Sequence, residues 1–202
     1  MNWNDLNPII FLPLAASSVI LLVGWVRSGH TKRLRERLVP MAQEMGWSDV
    51  KWSRFFMAGV QGMWNGYSVR IRRVPRQKSI PERIVAGIRV QAPARILITR
   101  RQHGLFDGKP LGWFGPPVVE LPLYSQFWIR TDEITLADRL MHSSAAPMLD
   151  RILQSRHDFF RLDGNQLAVQ RLSATDPDEF TRLAREEWEL LHIVVDTLSL
   201  RP

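Results

Sequence analysis

Between Leu6 and Val26 the chain runs 21 residues, LNPIIFLPLAASSVILLVGWV, without a charged side chain. At about 1.5 Å per residue such a helix reaches roughly 30 Å, the thickness of a bilayer's hydrocarbon core. Trp3 and Trp25 flank the run, where interfacial aromatics belong. Pro8 and Pro13 fall in its outer half, able to open or kink the helix. A cleaved signal peptide would carry a basic leader, yet Asp5 is the sole charge ahead of the run, so an uncleaved anchor is expected. Arg27, Lys32, Arg33, Arg35 and Arg37 crowd behind the span and no base precedes it. The positive-inside rule therefore predicts an outside N-terminus and a cytoplasmic remainder at the inner membrane. The span holds Asn7, Ser17 and Ser18 but nothing ionisable, so it anchors or packs and relays no protons. Ala15, Ala16, Ser17, Ser18 and Gly24 would let another helix approach closely.

Three regions follow: residues 1–27 as the anchor, 28–48 as a basic juxtamembrane helical stalk, and 49–202 as a cytoplasmic α+β domain. The stalk reads as a helix over 31–46, broken near Pro40 and stopped at Gly46. Beyond it, Asn65-Gly66 between two strand-like runs predicts a type I′ hairpin, with Tyr67, Val69 and Ile71 alternating against Ser68, Arg70 and Arg72. Strands are expected at 83–91 and 95–101, giving an antiparallel sheet. Gly and Pro crowd residues 102–123, which predicts a long loop. Its Leu105, Phe106, Leu111, Trp113 and Phe114 must tuck under the domain or dock on a partner or bilayer. A strand at 124–131, two short helices, a hairpin turning at Asp163-Gly164-Asn165 and a long final helix complete the chain. Asp176 as N-cap and Pro177 at N1 mark that helix's start. The fold class is thus α+β: one transmembrane helix, a basic stalk, and a single antiparallel-sheet domain with covering helices.

The net charge of +7 is a polarity rather than a uniform excess. Residues 51–109 carry 13 bases against 2 acids, and residues 111–202 carry 9 against 14. The two parts can neutralise one another within one domain. Alternatively, Arg70, Arg72, Arg73, Arg76, Lys78, Arg89, Arg100 and Arg101 form a face for phosphates, anionic headgroups or an acidic subunit. Nucleic acid is not the expected partner, since no helix-turn-helix, zinc finger or RNP-like aromatic pattern accompanies the charge. The chain has no cysteine, which removes disulfides and thiolate ligands. Its five histidines show no metal-ligand spacing, and no Walker loop, nucleophile elbow or dinucleotide fingerprint occurs. His157 beside Asp158 is the nearest acid/base pair, and Glu186, Glu187 and Glu189 read as a solvated acidic helix face. No catalytic, cofactor or metal residues are assigned, and no enzymatic activity is expected.

Gly62, Trp64 and Gly66 followed by YSVRIRR, then FWIRTDE at 127–133 and the helix-then-hairpin order through LDGNQLAV, resemble uncharacterised single-span bacterial proteins with a cytoplasmic α+β domain. That resemblance implies a fold and no activity. With the layout of small accessory subunits in respiratory and photosynthetic assemblies, the expected function is a non-catalytic subunit that stabilises a larger membrane complex. The alternative is a tethered module whose basic sheet binds anionic lipid or an acidic protein. Expected contacts to other subunits or to anionic headgroups are Trp3, Trp25, Arg27, Arg33, Arg70, Arg72, Arg73, Arg76, Phe106, Trp113 and Phe114.

Overall fold

In a computed structural model the described residues are 29–53, 58–76, 81–101, 118–119, 124–155, 157–174 and 176–202. The predicted span, the body of the 102–123 loop, and with them Trp3, Trp25, Arg27, Phe106, Trp113 and Phe114 lie outside these residues. Among the described residues no helix is long and apolar enough to cross a membrane.

Helix α1 covers residues 29–44 and leads into strand β1 (Ser48–Ser53). The alternating segments then pair as β2 (Gly59–Trp64), β3 (Tyr67–Val74), β4 (Arg83–Arg89) and β5 (Ile96–Arg100). A short β6 (Val118–Val119) and β7 (Phe127–Thr131) precede helices α2 (Ile134–Met141) and α3 (Ala145–Ile152). The hairpin β8 (Phe159–Asp163) and β9 (Gln166–Leu172) and the long α4 (Pro177–Leu198) end the chain. Asn65 and Gly66 both take positive φ, as the type I′ turn requires. Among the described residues the strands form one antiparallel sheet of nine in the order β1-β2-β3-β4-β9-β8-β5-β7-β6. The C-terminal hairpin is therefore wedged between β4 and β5, consecutive in the chain but not neighbours in the sheet.

One face of the sheet is apolar, because strand side chains alternate. Val69, Ile71, Ile84, Ala86, Ile88, Val169, Phe160, Ile98 and Ile129 share that parity and are all essentially inaccessible. Helix α4 packs on β4 and β9 from this side, with α2 and α3 against it. Its start is as the sequence predicts: Asp176 Oδ2 accepts from the Asp178 and Glu179 N–H groups at 3.0 and 2.9 Å.

Two expectations about the stalk need correction. The helix is not broken at Pro40, which lies exposed in mid-helix, so the carbonyl that loses its N–H partner can turn to water. Nor is the segment a free stalk: Leu34, Leu38, Met41 and Ala42 are buried in the domain's one continuous core. Helix α1 lies parallel to α4, with Arg37 on Asp178 (2.8 Å), Glu44 on Arg185 (2.7 Å) and Trp47 edge-on to Trp188, centroids 5.0 Å apart. All three pairs share one sequence offset, 141 residues, so the helices keep register along the contact. At its end the Gly46 N–H reaches Gln43 O and the Trp47 N–H reaches Ala42 O, both at 3.0 Å. That Schellman closure, with Gly46 at φ +77°, turns the chain so that Trp47 enters the aromatic cluster.

Because Leu38 is wholly buried, Leu38→Ala should lower unfolding free energy by about 2–4 kcal/mol in denaturant titration. A loss under about 0.5 kcal/mol, the range of surface substitutions, would show that α1 does not belong to the core.

Candidate functional site: a helix-free basic face

The face of the sheet turned away from the helices is built from the opposite parity, and register aligns it into rows. One row crosses all nine strands. It runs Lys51, Gln61, Arg70, Gly87 and Ala168 on the first five. It continues through Arg161, Leu97, Arg130 and Val118 on the rest. It contains four cations and no acid. Arg72, facing Gly59 and Val85, and Arg89, facing Gln166, flank it. A Cβ at Gly59 would fall 2.3 Å from Ile71 O and 2.7 Å from Arg72 Cα, so only glycine permits this close strand approach beside Arg72.

The arginines on the two faces differ in their partners. On the helix side Arg171 meets Glu186 at 3.0 Å and Glu187 at 3.3 Å, and Arg100 meets Asp150 at 3.0 Å. Arg73, at the end of β3, is held bidentately by Glu82. On the helix-free side Lys51, Arg70, Arg72, Arg89 and Arg130 have no hydrogen-bond or ion-pair partner among the described residues. Arg161 pairs with Asp163 and Arg95 with Asp132 at the margin of the face farthest from Arg73. Burial, and after it the neighbouring Arg70, push the Arg72 guanidinium below its ordinary pKa, the mark of a cation crowded without a counterion. The Nε atoms of Arg72, Arg83 and Arg130 are inaccessible and unbonded. Arg101 lies over the Trp128 ring, 4.0 Å from its centroid. Between these cations sits a depression of about 300 Å³ lined by Ser68, Arg70, Gly87, Ile88, Arg89, Asn165 and Gln166.

The predicted contact residues thus divide. Arg70 and Arg72 come together on the free face, Arg73 is neutralised by Glu82, Arg76 is exposed just past β3, and Arg33 is exposed on α1. Arg89, predicted for the face, flanks its central row, whereas Arg100, also predicted for it, lies on the helix side with Asp150. Lys51 and Arg130 join the face although sequence reasoning did not single them out for it. Only the pairing of strands distant in sequence could have revealed them.

Other candidates for chemistry resolve into structure. Asp158 accepts from the N–H groups of Gln154 (3.0 Å), Ser155 (2.6 Å) and Leu172 (2.9 Å), tying the loop to β9. Of the three glutamates expected on a solvated face, Glu187 is wholly buried. It falls seven residues after Phe180 and four before Leu191, on the apolar stripe of α4. Among the described residues no three metal-ligating side chains gather.

No family model matches the chain, and no curated protein does. Among solved structures, the crystal structure of the mycobacterial trehalose monomycolate transport factor A, TtfA, is similar in fold, with a TM-score of 0.50 and 12% identity. The match covers 84% of this chain and 96% of that one. At this identity the likeness is one of fold.

Burial pushes the Glu187 carboxyl well above its ordinary value against the pull of Arg171, and burial raises Asp158 too. Both groups hold a proton more tightly folded than unfolded. Their contribution is complete below the unfolded pKa and declines as pH rises toward the folded one. Glu187→Gln should therefore flatten the fall in unfolding free energy above about pH 4.5, the ordinary glutamate value, and match or exceed the parent at pH 8. A variant several kcal/mol less stable at pH 8 would instead mark the Arg171–Glu187 pair as strongly stabilising.

Proposed function

We propose that this protein is a membrane-anchored, non-catalytic accessory subunit, bacterial in origin, that holds a partner at the cytoplasmic face of a larger membrane complex. The observation that carries this reading is α1. Its described part begins three residues after the predicted span ends, and its apolar stripe is built into the domain core. A helix fixed in this way transmits the orientation of the anchor to the sheet, which a flexible tether would not do. A basic face left without intramolecular counterions is then presented at a set height and angle to whatever else lies in the membrane. The absence of a recognisable catalytic motif in the sequence favours docking over chemistry. A fold shared with a protein named as a transport factor is compatible with an accessory role in a membrane system, although fold alone assigns no function.

Purification of the full chain from its native membrane in mild detergent should yield a complex with the same additional subunits in each preparation. A monodisperse monomer with no stoichiometric companion would contradict this reading.

A further inference from the structure

We propose that the helix-free face is a docking site for an acidic polypeptide segment of a partner, which lies across the strands along the row from Lys51 through Arg70 to Arg130. The choice of a peptide over a lipid surface rests on the anchored reading above.

Complementarity selects the chemistry. Among the described residues Lys51, Arg70 and Arg130 have no ion-pair partner; they occupy one register row and meet no acid within it. Seven strand spacings separate Lys51 from Arg130 in the sheet order, so at about 4.8 Å each the row extends roughly 34 Å. An extended segment of about ten residues covers that distance. Beside the row, Gly87 lines the depression of about 300 Å³ between Arg70 and Arg89, where an acidic side chain can enter. Guanidinium groups are suited to carboxylates, which they can grip bidentately.

The test uses the full chain in zwitterionic nanodiscs and a fluorescent peptide of alternating Glu and Ser, about twelve residues long, beside its Gln-Ser counterpart. The Glu-Ser peptide should bind at least about tenfold more tightly, with affinity falling steeply as salt rises. Arg70→Gln and Arg130→Gln should each weaken binding about fivefold or more, Arg70→Lys should lose less, and Arg33→Gln should leave it unchanged. Equal binding of the two peptides by the parent chain, a comparison that needs no variant, would overturn the proposal. So would equal effects of Arg33→Gln and Arg70→Gln. Loss of peptide binding when anionic lipid enters the nanodisc, abolished by Arg70→Gln, would assign the face to lipid and overturn it as well. A chain that purifies alone yet binds the acidic peptide would sink the accessory-subunit reading while leaving this site. A chain that purifies with partners but ignores the peptide would do the reverse.

Discussion

Burial of one face of the sheet under α4 is the constraint from which the rest of this architecture follows. Nine antiparallel strands offer two faces, and the helices pack together on one of them. Because side chains alternate along a strand, committing Ile84, Ala86 and Ile88 to the helical layer commits Arg83, Val85, Gly87 and Arg89 to the other side. A slip of one residue in β3 or β4 would drive arginines into the core. The register is therefore held by hydrophobic burial and the same register composes the basic row.

Charge is sorted by the same rule. An arginine on the helical side must be paired, since an isolated buried charge is prohibitively costly. Arg171 and Arg100 meet acids supplied by α4 and α3. On the opposite face no helix supplies acids, and Arg70, Arg72, Arg89 and Arg130 have no partner among the described residues. The acids of the C-terminal third largely serve the helical side and the margins. The polarity of the sequence thus becomes a neutralised core and one basic surface.

Much of this architecture is legible in the sequence, but unevenly. Local signals translate well: Asn65-Gly66 makes its turn, Asp176 and Pro177 start α4, and the parity of Ile84, Ala86 and Ile88 marks the buried face. Strand β1 carries no clear alternation, because its pairing shifts register between Ser48 and Lys51 and Asp49 takes a positive φ. The insertion of the β8–β9 hairpin between β4 and β5 is set by packing between residues some 80 apart, which no short-range pattern encodes. The candidate face suffers from the same limit. Arg70 and Arg72 stand out as a cluster in the chain, whereas Lys51 and Arg130 join them only through pairings across the whole sheet. Glu187 was readable in principle, since its helical phase matches Phe180 and Leu191, yet its charge argues for the surface.

Helix α1 joins the two halves of this account, since the role proposed for the sheet depends on its being fixed to the segment predicted to enter the membrane. The absence of cysteine makes the point directly measurable, because introduced thiols would be the only ones. Spin labels at Arg33→Cys on α1 and Arg182→Cys on α4, both exposed positions, report the separation of the two helices by double electron–electron resonance in nanodiscs. Eight residues of axial offset at the register seen here, with helix axes about 10 Å apart, predict one narrow distribution near 20 Å. A broad distribution extending well beyond about 30 Å would mean that α1 swings free of the domain, and would contradict the account at its base.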